Sequence, residues 1–483
     1  MGKNIKKKDW HSKVGFRPHF DLWKTFNKAK HIVKSEHVER HNFLPFINFV
    51  IESYKFQRRL NSDNEITTRK DGLKPREINY SSHSDAYIFS RYNEILSEKY
   101  EKFLADNSLD CVIAYRSIKK TVINFKTQKT IEVGKSNIDF AAEAFTEIKN
   151  RENCYCLGID IKGFFDNLNH EQLKENLQNI LGVDKLSKDW LLIFNVLTDF
   201  HFIMLKDILK ERNNKKMKNE LTEDDIELFK KTCTAKTLRK IIAEEKHIIK
   251  SNKNYIKGCS TSKGIPQGTN LSGTLANIYM VEFDLKLQNY SKKNNVYYRR
   301  YSDDILFIVN SKEQLEEIIS LVKQIIKEMK LEISPEKTLC CKFNKVGCLS
   351  IPCSLRNEPH KENSFQYLGF TYDGKSVRLR NGTLGNFWTK AKKHIKDIVI
   401  GNALNKKKVP LAKIYGLYTH LHNKDAQYHG NFYGYVREAQ KIFENEYGFE
   451  KVKIKKQMAN SWDEVQKYLK KLKDKYNISN EYL

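Results

Sequence analysis

The sequence predicts an α+β fold, because two acid-bearing strands occur among long amphipathic helices. A run of apolar residues from Tyr155 to Ile159 ends in Asp160, which is typical of a buried strand that delivers a carboxylate at its end. The decapeptide RRYSDDILFI, Arg299 to Ile308, predicts two strands joined by a tight turn that carries Asp303 and Asp304.

The composition indicates a polyanionic partner. The chain of 483 residues has 86 Lys and Arg against 59 Asp and Glu, a formal charge of +27. A surplus of this size is typical of proteins that bind nucleic acid. An anionic membrane is the competing explanation, but no apolar stretch approaches the roughly 20 residues needed to span a bilayer. The basic start, MGKNIKKKDWHSK, has no apolar segment after it, so we expect no secretory signal and a cytoplasmic protein.

The nine cysteines are scattered, without the spacing of a disulfide framework or a zinc site. Cys154 and Cys156 would share one face of a strand, which favours core packing over metal binding. We therefore expect no disulfides.

Residues 1–66 are predicted to form a basic N-terminal extension. Aromatic residues are mixed there with lysines and arginines. This pattern is equally typical of a basic segment that binds nucleic acid and of an ordinary amphipathic segment that docks on the rest of the protein. The pattern from Phe43 to Leu60 predicts a helix.

Residues 67–153 are predicted to begin with turns and strands. A long amphipathic helix follows from Ser84, and the run Cys111–Phe125 is typical of another strand. Arg76 and Arg116 stand in two short basic strands, where a guanidinium can make bidentate hydrogen bonds to a phosphate. Either arginine alone is equally compatible with a surface salt bridge.

Residues 154–181 hold the strand that ends in Asp160, followed by a helix. Asn169 is placed to cap that helix, with Gln172 three residues later as in a capping box. Residues 182–257 alternate in charge sign along helical faces, which is typical of a solvated helical insertion.

Residues 258–388 resume the central domain with a glycine-rich loop. Its tripeptide Pro266-Gln267-Gly268 precedes a helix of small and apolar residues, where glycine lets the backbone approach a base pair and the Gln267 amide can reach it. A turn that merely caps the helix is the alternative. Lys337 lies in a strand-like segment, and Asp373-Gly374 predicts the turn of a second hairpin.

Residues 389–483 are predicted to form a basic, α-helical C-terminal domain rich in tyrosine and histidine. Such side chains, interleaved with lysines, stack on bases in some proteins and line the core of a helical bundle in others. The second interpretation is slightly favoured.

Asp160, Asp303 and Asp304 together predict a metal site. An isolated Asp-Asp pair is most often a solvated turn. Here Ile305–Ile308 predict a buried strand, so the acids stand at the edge of a core, where unpaired charge is unfavourable unless a cation neutralises it. Three carboxylates can bind two Mg²⁺ ions, one for an attacking hydroxyl and one for a triphosphate. The sequence therefore predicts nucleotidyl transfer.

Five motifs, in order, resemble those of bacterial reverse transcriptases of the group II intron, retron and defence-associated lineages. LGIDIKGFFDNLNH is similar to the first palm motif, GIPQGTNLSGTLANIYM to the second, RYSDDILFI to the Tyr-x-Asp-Asp signature, LEISPEKT to the lysine motif and FQYLGF to the primer grip. The resemblance covers roughly Thr67 to Arg380. It implies a right-hand polymerase, with fingers at 67–153, a palm at 154–181 and 258–388, and the helical insertion between the two palm segments.

The resemblance also implies chemical roles. Asp160, Asp303 and Asp304 become metal ligands, assisted by the carbonyl of Ile161. Phe165, five residues after Asp160, becomes the steric gate that excludes a ribose 2′-hydroxyl. The implied cofactor is Mg²⁺, as two ions, with Mn²⁺ as a substitute. The implied partners are dNTPs, an RNA template and the DNA product.

Further roles are implied for residues that handle the nucleotide and the primer. Gln267 and its loop line the nascent base pair, Lys337 lies near the leaving pyrophosphate, and Arg76 and Arg116 grip the triphosphate. The residues implied to contact primer or template are Tyr301, Gly268, Tyr367, Leu368 and Gly369.

The chain most resembles the unclassified, abortive-infection-like reverse transcriptases used in phage defence. Its loop reads TNLSG where intron-type enzymes tend to have a Ser-Pro pair, and no Cys/His endonuclease domain follows the palm. Members of that group tend to carry a helical domain in place of the thumb, often work with a noncoding RNA, and include enzymes primed by a protein hydroxyl. These properties, and a homo-oligomer or partner protein, are expectations from the resemblance.

Two rival functions stay open. An RNA-dependent RNA polymerase shares the palm chemistry, but such enzymes usually carry an acid where this chain has Phe165. A non-catalytic, maturase-like RNA-binding protein with a relic core is disfavoured, because buried carboxylates without a metal are unfavourable.

Overall fold

The described part of the chain combines helices with four β-sheets, which confirms the predicted α+β class. A computed structural model describes residues 9–60, 66–124, 129–212, 234–252, 262–405, 407–418 and 432–479. The strands are β1 (Phe46–Leu60), β2 (Ile66–Tyr80), β3 (Lys119–Asn124), β4 (Lys129–Gly134), β5 (Cys154–Asp160), β6 (His201–Met204), β7 (Ile249–Ser251), β8 (Tyr297–Tyr301), β9 (Asp304–Val309), β10 (Leu339–Asn344), β11 (Gly347–Ser350), β12 (Phe365–Tyr367), β13 (Phe370–Tyr372) and β14 (Val377–Leu379). The helices are α1 (Phe26–Ile32), α2 (Ser35–Val38), α3 (His83–Asp106), α4 (Asn137–Arg151), α5 (His170–Leu181), α6 (Lys188–Thr198), α7 (Leu205–Arg212), α8 (Ala235–Glu244), α9 (Ser272–Tyr279), α10 (Val281–Lys293), α11 (Lys312–Glu328), α12 (Asn381–Leu404), α13 (Leu411–Tyr418), α14 (Phe432–Lys441) and α15 (Ser461–Tyr476).

A five-stranded antiparallel sheet, ordered β11-β10-β5-β9-β8, forms the centre of the molecule. The neighbouring strands β5 and β9 are apolar on both faces. Leu157 and Phe307 point into a core on one side, and Cys156 and Ile308 point into a second core on the other side. Burial on both faces explains the continuous apolar runs in the sequence, and the buried strand predicted before Asp160 is confirmed.

Helices α5, α9, α10 and α11 cover the first core. Asn169 caps α5, since its side chain accepts a hydrogen bond from the Gln172 amide at 3.2 Å. The predicted helix cap is therefore confirmed.

A second sheet, ordered β2-β1-β6-β7, corrects two predictions. The helix predicted for Phe43–Leu60 is wrong, because this stretch contains strand β1. Its β-branched and aromatic residues suit a strand that pairs with both β2 and β6. The predicted insertion, 182–257, has helices but also supplies β6 and β7 to this sheet. Its described part is therefore not simply a solvated helical insertion.

Three local predictions need adjustment. The strand predicted over Cys111–Phe125 is limited to β3, which pairs with β4, so Arg116 lies outside it. Lys337 lies in a 3₁₀ turn just before β10 rather than in a strand. The hairpin turn at Asp373-Gly374 joins β13 to β14 as predicted, and a further strand, β12, precedes it.

The C-terminal region packs in two places. Helices α12, α13 and α15 share a small core of their own, whereas α14 and the residues after it, up to Met458, join the second core beneath the central sheet. Helix α12 begins at Asn381, so the proposed domain boundary at 388/389 falls inside it. No described helix is both long and apolar enough to cross a bilayer.

Candidate active site

Two of the predicted acids face each other on neighbouring strands. Asp160 is the last residue of β5, Asp304 is the first residue of β9, and the antiparallel register sets them directly opposite each other. Asp303 precedes Asp304 in the turn that joins β8 to β9. The structure therefore brings the three predicted carboxylates to one edge of the central sheet.

The three carboxylates repel one another. Crowding by protein atoms, followed by the charges of Asp303 and Asp160, raises the pKa of Asp304 to about 7, although this side chain still reaches solvent. Burial, followed by the charge of Asp160, also raises the pKa of Asp303. This edge of the sheet is thus a concentration of negative charge that a cation would stabilise.

Three basic side chains surround the carboxylates. Lys337 forms an ion pair with Asp160 Oδ1, and its charge opposes the rise in pKa of the other two carboxyl groups. The charge of Arg76 opposes the rise in the pKa of Asp303, and the charge of Arg380 opposes the rise in the pKa of Asp304. Both arginines are exposed, and so they are accessible to an anionic ligand.

A buried arginine supports the Asp-Asp turn. The Arg300 guanidinium donates two hydrogen bonds to the Asp284 carboxylate, at 2.8 and 2.5 Å, and one to Asn277 Oδ1 at 3.1 Å. A fourth hydrogen bond, at 3.2 Å, reaches the carbonyl of Ser302, which has a φ of +60°. Non-glycine residues keep such a backbone conformation only where their surroundings hold it. Arg300 therefore helps to fix the turn, a role that sequence reasoning missed because nothing in the motif shows that this arginine is buried.

Phe165 lies on a short 3₁₀ turn that follows β5. Its side chain is half-buried against the first core, and its carbonyl accepts a hydrogen bond from the Ile265 amide at 2.9 Å. A Cβ at Gly264 would lie 2.9 Å from the Asp166 carbonyl oxygen, so glycine is needed for this close approach. The segment after Asp160 and the loop before α9 consequently lie side by side.

The loop before α9 is held against the end of β2. The Gln267 carbonyl accepts a hydrogen bond from the Asn79 amide at 2.8 Å. Gly268 has a φ of +117°, and a Cβ there would lie 2.7 Å from the Asn79 carbonyl oxygen. Arg76 precedes Asn79 by three residues on β2, so the loop that carries Gln267 lies against the strand that carries Arg76, and the charge of Arg76 reaches Asp303.

Arg116 is engaged elsewhere. Its guanidinium donates to both carboxylate oxygens of Glu101, at 2.9 and 2.7 Å, and to the Val112 carbonyl at 2.6 Å. This is the salt-bridge alternative that the sequence left open. Contact with a triphosphate would require Arg116 to exchange Glu101 for the phosphate.

The residues predicted to contact the primer differ in exposure. Tyr301, at the end of β8, and the Leu368-Gly369 turn are half-buried. Tyr367 is buried in the second core, and its hydroxyl has no hydrogen-bond partner among the described residues. Ile161 also has a buried side chain, and the role of its carbonyl stays a prediction.

Residues 218–372 match the family model described as "Reverse transcriptase (RNA-dependent DNA polymerase)". The chain contains a reverse transcriptase domain. The match includes Gln267, the Asp303-Asp304 turn and Lys337, and Asp160 precedes it. It confirms the predicted enzyme class, a nucleotidyltransferase of the RNA-directed DNA polymerase kind.

Solved telomerases are similar in fold at a low level. A C-terminally truncated apo telomerase from Candida tropicalis is 12% identical, with a TM-score of 0.38, over 72% of this chain and 57% of that one. A Candida albicans telomerase in complex with a fragment of telomeric RNA is 10% identical, with a TM-score of 0.37, over 94% of this chain and 61% of that one. This chain thus spans little more than half the length of these structures, and similarity this distant extends no telomerase property to it. No curated protein matches the sequence.

The donor chemistry of the site fits the divalent metal ions that reverse transcriptase domains generally use. Asp160, Asp303 and Asp304 offer the hard carboxylate oxygens that Mg²⁺ prefers. Among the described residues, no group of three or more His, Cys, Asp or Glu side chains is arranged to hold a metal ion. The Lys337 ammonium pairs with one oxygen of Asp160. A metal ion at this edge would compete with Lys337 for the Asp160 carboxylate.

Two further residues lie beside the acids although sequence reasoning passed over them. Arg380 immediately precedes α12, and its position directly after the second hairpin is the signal that would have found it. The Tyr115 hydroxyl accepts a hydrogen bond from Ser302 Oγ at 3.4 Å, and no motif in the sequence marks it.

Proposed function

We propose that this chain extends a 3′ end with dNTPs on an RNA template, using two Mg²⁺ ions bound by Asp160, Asp303 and Asp304. The observation that carries the proposal is the register of β5 and β9, which sets Asp160 opposite Asp304 in a chain with a reverse transcriptase domain. The raised pKa values of Asp303 and Asp304 support a cation site at the same place. Bound ions would supply activation of the attacking 3′-hydroxyl and stabilisation of the triphosphate charge.

The basic residues around the acids suit the triphosphate of a dNTP. Arg76 is exposed and close enough to influence the charge of Asp303. Lys337 pairs with Asp160 in the free chain. A cation held by Asp160 would compete with this ion pair, and the Lys337 ammonium would then be available to the leaving pyrophosphate. In this proposal Arg76 neutralises the charge of the triphosphate and Lys337 neutralises the charge of the leaving pyrophosphate.

The direct test is dNTP incorporation by the double variant Asp303→Asn/Asp304→Asn. The substitutions are nearly isosteric and remove mutual repulsion, so thermal stability should be kept or increased. Incorporation on an RNA template–primer with Mg²⁺ should fall below detection. Asp463→Asn, at an exposed position on α15, is the matched control and should keep wild-type activity. Continued incorporation by the folded double variant would overturn the proposal.

Phe165 is proposed to exclude ribonucleotides. Its carbonyl is fixed by Ile265 and its ring is half-buried, which supports a well-defined ring position. Phe165→Ala should raise the rate of rNTP relative to dNTP incorporation by on the order of 10- to 100-fold. Single-nucleotide assays with each substrate measure this ratio. A wild-type chain that prefers rNTPs would instead identify an RNA-dependent RNA polymerase.

The biological part of the proposal is antiphage defence in the cytoplasm, with a noncoding RNA as template. Its support is the sequence resemblance to the abortive-infection-like group. Phage challenge of cells that express the wild-type chain or the Asp303→Asn/Asp304→Asn variant tests this role, and equal plaque counts would contradict it. Sequencing of copurified nucleic acid, including DNA bound covalently to protein, identifies the template and shows whether a protein hydroxyl is the primer. Size measurements detect a homo-oligomer or a partner protein.

A further inference from the structure

The segment that leads to Tyr115 is bound to the Asp-Asp hairpin. The Arg300 amide donates to the Cys111 carbonyl at 2.8 Å, and the Ile113 amide donates to the Arg300 carbonyl at 3.0 Å. The side-chain amide of Asn277 donates to the carbonyl of the residue just before Tyr115, at 2.8 Å. These bonds fix the backbone immediately before Tyr115.

Tyr115 is both strained and exposed. Its φ is +58°, which is unfavourable for a non-glycine residue and is retained only where the surroundings hold it. The side chain is nevertheless 53% exposed, so burial of the ring does not explain the conformation. Strained residues held in this way are concentrated at functional sites.

The exposed ring lies between helix α9 and the Asp-Asp hairpin. A Cβ at Gly273 would lie 2.8 Å from the ring, so the tyrosine packs on the first turn of α9, directly after the loop that carries Gln267. Its hydroxyl accepts the 3.4 Å hydrogen bond from Ser302 in the Asp-Asp turn. It is also close enough to Tyr301 to contribute, after burial, to the raised pKa of that phenol.

We propose that Tyr115 stacks its ring on a nucleobase at the polymerase site and thereby sets how tightly that base is positioned. The inference rests on the proposed function. An exposed aromatic ring beside the Asp-Asp turn, in a chain with a charge of +27, has the chemistry of a base-stacking platform. The base belongs either to the template or to the incoming dNTP, and both present the same π-face. A purely structural brace would act through the long hydrogen bond to Ser302 instead.

Two substitutions separate the ring from the backbone and the hydroxyl. Tyr115→Gly removes the ring but suits the positive φ, so the fold should not be destabilised. Tyr115→Phe keeps the ring and loses the hydrogen bond with Ser302. Tyr476→Ala removes a tyrosine of comparable exposure, 40%, at the end of α15 and is the matched control.

The experiment measures primer extension together with the fluorescence of 2-aminopurine. The analogue is placed either at the first unpaired template position or in the incoming nucleotide, and quenching of one of them by the wild-type chain identifies the stacked base. Tyr115→Gly should abolish that quenching and weaken binding of the same partner by on the order of 10- to 100-fold. Tyr115→Phe and Tyr476→Ala should behave like the wild type.

Two outcomes overturn the inference. In the first, Tyr115→Gly retains the quenching and the affinity. In the second, Tyr115→Phe loses as much quenching and affinity as Tyr115→Gly. Failure of the proposed function has a different signature, because the wild-type chain would then extend no primer. Quenching requires only binding and no incorporation, so it still decides the role of Tyr115 in that case.

Discussion

At the scale of single residues, His19 links the stability of the N-terminal region to pH. The ring is 2% exposed, and its Nδ1 accepts a hydrogen bond from the Phe20 amide at 2.9 Å. Burial lowers the pKa of His19 to about 3, despite the opposing charge of Asp21. The folded state therefore holds this imidazole neutral, whereas the unfolded chain protonates it near pH 6.5.

This difference predicts a loss of stability on acidification. Below pH 6.5 the unfolded state binds a proton that the folded state excludes down to about pH 3, so the free energy of unfolding falls across that window. Between pH 7.5 and 5.5 the loss due to His19 should be about 1.4 kcal/mol. Urea unfolding gives the free energy of unfolding of the wild type and of His19→Gln at both pH values. The change between the two pH values should be larger in the wild type than in the variant by this amount.

Single residues also show where sequence reasoning ends. Asp160, Asp303 and Asp304 were identifiable because each interrupts or borders an apolar run. Arg116 and Arg300 look alike in sequence, yet one forms a surface pair with Glu101 and the other is buried under the Asp-Asp turn. The difference depends on long-range contacts, which local patterns do not encode.

At the scale of elements, the loop before α9 depends on its contact with β2. Gly268→Ala places a Cβ 2.7 Å from the Asn79 carbonyl oxygen, at a positive φ, and should reduce the free energy of unfolding by about 1–3 kcal/mol. The displaced loop should also raise the KM for dNTPs. Gly385→Ala in α12 meets no atom within 4 Å and should stabilise the helix by up to about 1 kcal/mol. Equal effects of the two substitutions on stability and KM would show that the contact with β2 is unimportant.

The elements that sequence predicted well are those with local signals. Strands β5 and β9 have buried apolar runs, α5 has its Asn169 cap, and the β13–β14 hairpin has an Asp-Gly turn. Strand β1 was predicted as a helix, because its identity depends on pairing with β2 and with β6, which lies more than a hundred residues away. Strands β6 and β7 are short, and charged helices around them hid their pattern.

At the scale of the whole molecule, the charge of +27 predicts salt-sensitive binding of RNA. If about five phosphates are neutralised on a single strand, log K against log salt concentration should have a slope of about −3.5 or steeper. Binding isotherms at several salt concentrations measure it. An uncharged peptide nucleic acid of the same sequence is the control and should show little salt dependence. A flat profile for RNA would rule out the polyanion-binding role inferred from composition.

The two faces of the central sheet pack against different parts of the chain. One face packs on helices α5, α9, α10 and α11, and the other packs on α4, the β12–β14 sheet and α14 from the C-terminal region. Part of the C-terminal region therefore packs on the sheet that carries the candidate site. Its return to the central core is a long-range contact without a local sequence signal.

The most direct test concerns Asp160, because it lies outside the matched family segment and is joined to the site by the register of β5 and β9. Single-nucleotide dNTP incorporation on an RNA template with Mg²⁺ is measured for Asp160→Asn, with the exposed Glu332→Gln as control. Incorporation by Asp160→Asn should fall by on the order of 10³-fold while its Tm stays at or above the wild-type value, and Glu332→Gln should be fully active. Activity of a folded Asp160→Asn within tenfold of the wild type would contradict the three-carboxylate site.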